Sequence, residues 1–79
     1  MKIEVLGMGC AKCNKLEENV RQAVKELGLK AEIDHVRDLA EIAKRGVMIT
    51  PGLVIDGKPV SAGNVLSIEK VKELLQARQ

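Results

Sequence analysis

Apolar residues recur with two different spacings in the N-terminal half of the chain. Lys2 to Leu6 and Ala31 to Val36 are short runs of mixed apolar and polar residues, which is typical of strands. From Ala11 to Leu27 the apolar residues return every three or four positions, which predicts an amphipathic helix. Gly28 follows at the position where a helix commonly ends in a left-handed residue. This half is therefore predicted to be strand, helix, strand.

A second, shorter helix is predicted after residue 36. Asp38 is a good N-cap residue, and Gly46 ends the pattern. Between them, Leu39, Ile42 and Ala43 are expected to face inward. Thr50-Pro51 then interrupts the chain before the next strand.

The last part of the chain reads as a hairpin followed by a helix. Residues 52–55 form an apolar strand, Asp56-Gly57 a tight turn, and residues 58–62 the returning strand. Pro59 cannot donate a ladder hydrogen bond, so this returning strand is expected at a sheet edge. Ser67 is a good cap for the final helix. The apolar stripe of that helix comprises Ile68, Val71, Leu74 and Leu75.

The resulting order, β-α-β-α-β-β-α, restricts the topology. The first strand–helix–strand unit predicts a right-handed parallel crossover, and the closing hairpin adds two antiparallel strands. We therefore expect an α/β protein with a four-stranded mixed sheet flanked by three helices. The 79 residues are expected to form a single domain over 1–79, because the chain is too short for two cores.

Composition narrows the classes of function. The chain has 46% hydrophobic and 30% charged residues, no aromatic residue and a net charge of +2. Without aromatic stacking platforms or a basic run, nucleic acid is not an expected partner. No stretch resembles a signal peptide or a membrane span, so a cytoplasmic protein without membrane association is expected. Nothing in the sequence argues against a monomer.

Both cysteines of the chain lie in one unit, Cys10-Ala11-Lys12-Cys13, where the first strand gives way to the first helix. A pair with this spacing can form a small disulfide ring or bind one soft metal ion. Both uses need a thiolate, which a helix N-terminus stabilises through its exposed N–H groups and dipole. Spacing alone leaves both chemistries open.

Other ligands for a metal are scarce. A structural zinc site needs four ligands, and His35 is the one histidine that could join the cysteines. We expect His35 to be an ordinary strand residue, and Met8 to shield the sulfurs or fill the core. No resident metal and no cofactor are predicted.

Three segments together resemble a known family. They are Gly9-Cys10-Ala11-Lys12-Cys13 after the first strand, Thr50-Pro51 before the third, and the hairpin that begins at Leu53. The chain resembles the thioredoxin fold in its minimal form, and more closely the small glutaredoxin-like redox-active-disulfide proteins of archaea and bacteria. The resemblance covers nearly the whole chain.

The resemblance implies a thiol–disulfide oxidoreductase that acts in electron transport. Cys10 would attack a substrate disulfide, and Cys13, more buried, would resolve the mixed disulfide. Lys12 would lower the pKa of the Cys10 thiol. Pro51 would be a cis-proline beside the cysteines, leaving the backbone of Thr50 free to pair with a substrate strand. The implied partners are protein disulfides and a protein reductase.

Two other classes remain as alternatives. Met8-Gly9-Cys10-Ala11-Lys12-Cys13 also fits the Met-x-Cys-x-x-Cys loop of small copper chaperones, which predicts a soft-metal carrier. Those domains run β-α-β-β-α-β and end in a strand, whereas this chain is predicted to end in a helix. A non-catalytic interaction module is the third class, and it predicts that serine replacements of both cysteines leave partner binding intact.

Overall fold

The structure, a computed structural model, describes residues 1–7 and 11–77. These residues form seven elements in the predicted order. The strands are β1 (Lys2–Leu6), β2 (Glu32–Val36), β3 (Gly52–Ile55) and β4 (Lys58–Ala62). The helices are α1 (Ala11–Leu27), α2 (Leu39–Lys44) and α3 (Ile68–Gln76). The predicted α/β class and element order are confirmed.

The four strands form one mixed sheet in the order β2-β1-β3-β4. β1 runs parallel to β2 and antiparallel to β3, and β3 runs antiparallel to β4. Pro59 lies on β4 at the edge of the sheet, as predicted from its missing N–H. Between the Leu53 and Val54 pairs the register shifts, so that β4 carries a bulge at this edge.

The main core lies between the sheet and the helices α1 and α3. Alternation along β1 turns Ile3 and Val5 toward these helices, and both are fully buried. The predicted apolar faces of α1 and α3 pack against these strand residues in the same core. The helical members of this core that are buried are Leu16, Val20, Ala23, Val24, Val71 and Leu75.

A smaller apolar cluster lies on the opposite face of the sheet, beneath α2. It consists of Leu6, Ile42, Val47 and Val54. The prediction that Leu39 and Ala43 face inward was wrong: both are exposed, Leu39 by 66%. α2 has six residues, fewer than two turns, so a single side chain, that of Ile42, is buried from it.

Local turn and cap chemistry follows the sequence. Asp56 and Gly57 both have positive φ, 49° and 81°, as a two-residue hairpin turn of this hand requires. The Asp56 side chain also accepts a hydrogen bond from the backbone N–H of Lys2 at 2.8 Å. Asp38 and Ser67 cap α2 and α3 as predicted, accepting from the N–H groups of Ala40 and Lys70.

Candidate active site

Cys13 is fully buried in the first turn of α1, against the end of β1. Gly7 follows β1 and donates its N–H to the carbonyl of Val36 at 2.9 Å, which holds the ends of β1 and β2 together. A Cβ atom built on Gly7 would overlap Cys13 Sγ and lie 2.9 Å from Cys13 Cβ and 3.9 Å from Thr50 Cβ. The fold therefore brings Gly7, Cys13 and Thr50 together at one end of the sheet.

Gly7 is a site residue that sequence reasoning missed. The sequence showed a glycine at the end of the first strand, which reads as a turn residue. Its actual role is to leave space, because any side chain here would compete with the sulfur of Cys13.

Met8, Gly9 and Cys10 lie outside the described residues. The nucleophile role of Cys10 and the shielding role of Met8 therefore remain predictions. In the sequence Cys10 directly precedes Ala11, where α1 begins.

The electrostatic setting of the α1 N-terminus favours a thiolate. The first turn of α1 contains no acidic side chain, so nothing within that turn opposes the positive end of the helix dipole. Lys12 lies on the exposed side of this turn. Its predicted effect on the Cys10 thiol remains a prediction.

The loop before β3 carries the second predicted part of the site. The Thr50–Pro51 peptide bond is cis, which is the isomer that the resemblance implies. Pro51 is buried, and its carbonyl accepts a hydrogen bond from the Gly63 N–H at 2.8 Å. Thr50, in contrast, is exposed, as are Met48 and Ile49 before it. The loop thus presents three exposed residues immediately before a buried proline.

A partly buried histidine–carboxylate pair lies one helical turn beyond Cys13. His35, on β2, is only 8% exposed at its side chain, and its Nδ1 is 2.6 Å from Oε1 of Glu17. Glu17 also accepts a hydrogen bond from Arg21 Nε at 2.9 Å. His35 is thus a strand residue, as expected, but its contact with a residue 18 positions away was not predicted.

Burial and hydrogen bonding act on Glu17 in opposite directions. Partial burial acts to raise the pKa of the Glu17 carboxyl, but hydrogen bonds from Arg21 and His35 outweigh it. The pKa of Glu17 is consequently held below its ordinary value. A carboxylate at this position makes Nδ1 of His35 the donor of the hydrogen bond.

A partly buried ion pair lies on the other face of the sheet. Glu4 on β1 accepts two hydrogen bonds at Oε2, from Arg45 Nε at 3.0 Å and Nη2 at 2.7 Å. Hydrogen bonds to Glu4 and Glu41 raise the pKa of the Arg45 guanidinium. In the sequence, a glutamate within an apolar strand was the one sign of this pair.

Residues 1–7 and 11–77 contain neither a candidate metal cluster nor a membrane-spanning helix. No group of three or more histidine, cysteine or acidic side chains in this part of the chain could hold a metal ion. Within the same residues, no helix is both long and apolar enough to cross a membrane.

Comparison with known proteins agrees with this geometry. The family model described as the thioredoxin domain matches residues 1–76. The chain belongs to the thioredoxin domain family. The recognition of a thioredoxin-type fold from sequence is therefore confirmed, and the activity class is thiol–disulfide oxidoreductase in general terms.

Two archaeal proteins are similar to this chain over nearly its whole length. A protein named Thioredoxin from Methanothermobacter thermautotrophicus is 44% identical over 75 residues, covering 95% of this chain and 97% of the relative. A protein named Thioredoxin from Methanocaldococcus jannaschii is 47% identical over 75 residues, covering 95% of this chain and 86% of the relative. The soft-metal carrier receives no support, since the thioredoxin-type element order ends in the helix α3.

Proposed function

We propose that this protein exchanges electrons with protein disulfides through a reversible Cys10–Cys13 disulfide. The observation that carries the proposal is the burial of Cys13 against Gly7, beside the Thr50–Pro51 loop, in a thioredoxin-family chain. A buried thiol in the first helical turn, next to an exposed loop, suits a resolving cysteine.

The reaction proceeds in two displacement steps. The Cys10 thiolate attacks one sulfur of the substrate disulfide, forming a mixed disulfide and releasing the other substrate sulfur as a thiolate. Cys13, as the thiolate, then attacks Cys10 Sγ, forming the Cys10–Cys13 disulfide and releasing the second substrate sulfur. The substrate gains two electrons and two protons, and the two cysteines lose them.

The surrounding residues have distinct roles in this scheme. The N-terminus of α1 stabilises the Cys10 thiolate, and the charge of Lys12 adds to that stabilisation. The backbone of Thr50, an exposed residue, pairs with an extended segment of the substrate, which aligns the substrate disulfide with Cys10. Pro51 is buried and directly follows Thr50, which lies near Gly7 and Cys13.

The proposed partners are protein disulfides and a protein reductase that returns the cysteines to the dithiol. The two relatives named Thioredoxin support a reductase partner in general terms. We further propose a monomeric, cytoplasmic protein whose residues 1–79 form a single domain, with neither nucleic acid nor membrane as a partner.

Serine variants test the mechanism directly. The wild-type protein should show a two-electron transition in an equilibrium redox titration, at about −300 to −180 mV. Cys10→Ser should abolish reduction of a protein disulfide such as that of insulin. Cys13→Ser should instead accumulate a mixed disulfide through Cys10, detectable by mass spectrometry.

A Cys10→Ser protein that reduces insulin at the wild-type rate would overturn the proposal. So would a wild-type protein in which the Cys10–Cys13 disulfide never forms. Reduction of the oxidised protein by glutathione as fast as by a thioredoxin reductase would contradict the proposed electron donor but not the exchange reaction.

A further inference from the structure

The ion pair between Glu4 and Arg45 is partly buried: the Glu4 carboxylate is covered, whereas the Arg45 side chain is 25% exposed. The Glu4 side chain is 8% exposed and lies on the central strand β1, opposite Val54 of β3. Val54 belongs to the apolar cluster beneath α2, which also contains Leu6. Replacing a buried ion pair by apolar residues of similar volume is often neutral or stabilising. Stability alone therefore does not account for this pair.

The pair is well suited to fixing a position. The Arg45 guanidinium donates from Nε and Nη2 to Glu4, and from Nη1 to the carbonyl and carboxylate of Glu41 at 2.8 and 3.1 Å. A planar guanidinium with this many partners has one orientation that satisfies all of them. The C-terminal end of α2 is thereby held at a defined place on β1.

α2 depends on such contacts to keep its place. It has six residues, too few for a helix that is stable by itself. Ile42 is its one buried residue, and Arg45, its C-cap, supplies the second connection to the sheet.

The loop with Thr50 and Pro51 begins directly after Arg45. Val47 is 2% exposed and contacts Gly52, where a Cβ would lie 2.7 Å from Val47 Cγ1. At the C-terminal end of the loop, the Pro51 carbonyl accepts a hydrogen bond from the Gly63 N–H. Residues 48–50 between these points are exposed. Ile49 and Thr50 lie near Gly63 and Gly7, and the attachments at the two ends of the loop help to keep these exposed residues in place.

We propose that Glu4 and Arg45 are positioning residues for the substrate-binding loop, holding the backbone of Thr50 where a substrate strand pairs with it. This inference rests on the proposed function of that loop. The two residues act through the loop, so they influence substrate binding and not the chemistry of the thiols.

The double variant Glu4→Leu/Arg45→Met tests the proposal in the full-length protein. Apolar side chains of similar size should keep the protein folded. KM for a protein disulfide should rise about tenfold, because a displaced binding loop weakens alignment of the substrate, while kcat changes less than about twofold. The Cys10–Cys13 redox potential should stay at the wild-type value. Amide hydrogen exchange at residues 46–50 should become faster.

Arg45→Lys provides a graded test and a safeguard. It keeps the charge opposite Glu4 but cannot reproduce the guanidinium contacts with Glu41, so KM should rise by a smaller factor than in the double variant. If the double variant fails to fold, this variant carries the test. A matched control is Lys70→Met/Glu73→Leu, which removes an exposed pair 3.7 Å apart on α3 and should leave KM unchanged.

The possible results separate the proposals. A wild-type KM and wild-type hydrogen exchange in folded Glu4→Leu/Arg45→Met, or in Arg45→Lys, would overturn the positioning role. A changed redox potential with an unchanged KM would also overturn it, since it would assign the pair to the electrostatics of the thiols. Failure of the exchange mechanism itself would appear separately, as an active Cys10→Ser protein.

Discussion

The sulfur of Cys13 occupies the space that a side chain on Gly7 would need. A Cβ on Gly7 would overlap Cys13 Sγ and come within 2.9 Å of Cys13 Cβ. The end of β1 and the first turn of α1 are thus in direct contact through a glycine and a cysteine. This contact fixes the depth at which the Cys13 thiol is buried.

Gly7→Ala is expected to destabilise the protein and impair the site together. The added methyl group must displace either the sulfur or the start of α1, and overpacking of this kind costs about 1–3 kcal/mol. Denaturant unfolding should show this loss, and kcat/KM for insulin reduction should fall at least about tenfold.

The control for this prediction is the same substitution in a Cys13→Ala background. Removing the sulfur should recover part of the stability lost by Gly7→Ala, because the most severe overlap is with Sγ. Equal losses in the two backgrounds would show that the Gly7–Cys13 contact is not the cause.

The burial of Cys13 predicts a protected thiol. In a Cys10→Ser protein, Cys13 is the one remaining cysteine and is fully buried. Alkylation by iodoacetamide should then be at least about 100-fold slower in the native protein than in urea, because reaction requires the site to open. Mass spectrometry of samples taken over time measures the alkylation rate in each condition. Comparable rates in the two conditions would contradict the burial of Cys13.

Lys12→Met tests the proposed tuning of the nucleophile. Removing an exposed positive charge from the first turn should raise the pKa of the Cys10 thiol slightly, since exposed charges interact weakly. Thiolate absorbance at about 240 nm measures the fraction of Cys10 that is ionised. Following this absorbance against pH in a Cys13→Ser background gives the pKa of the Cys10 thiol. Lys25→Met, in the last turn of α1, is the control and should leave the titration unchanged.

The salt dependence provides a second check on Lys12. The difference between wild type and Lys12→Met should shrink in about 1 M salt, where the screening length is about 3 Å. A difference that persists in high salt would show that the lysine acts through packing or a specific contact.

The lowered pKa of Glu17 predicts that the protein loses stability in acid. Its pKa is lower in the folded protein than its ordinary value, so its stabilising contribution is present above the unfolded-state pKa. That contribution is lost as the pH falls through the folded-state pKa. The difference in unfolding free energy between wild type and Glu17→Gln should therefore be largest near neutral pH and should disappear in strong acid.

Urea unfolding followed from neutral pH into strong acid measures this difference. Glu18→Gln, at the neighbouring exposed position, is the control and should give a much smaller pH-dependent difference. A difference for Glu17→Gln that stays constant with pH would show that its carboxylate charge is not involved. Hydrogen bonds lower the pKa of Glu26 and Glu41 as well, so wild type itself should lose stability in acid.

Local sequence determined the order of the elements and the chemistry carried by the chain. Helical spacing, the caps Asp38 and Ser67, and the Asp56-Gly57 turn depend on neighbouring residues, so they can be predicted without knowing the rest of the fold. The edge position of Pro59 could be predicted because proline lacks a backbone N–H donor. The Cys-x-x-Cys unit likewise limited the chemistry to thiol exchange or soft-metal binding.

Only the tertiary structure decided which distant residues meet. Glu4 and Arg45 are 41 positions apart, and their contact exists because α2 ends over the central strand. The exposure of Leu39 also depends on how α2 lies on the sheet, which helical spacing does not specify. Periodicity indicates which face of an element is apolar, whereas sheet order and packing decide what that face touches. For this reason the sequence pointed to Cys13 but not to Gly7 as the residue that makes room for it.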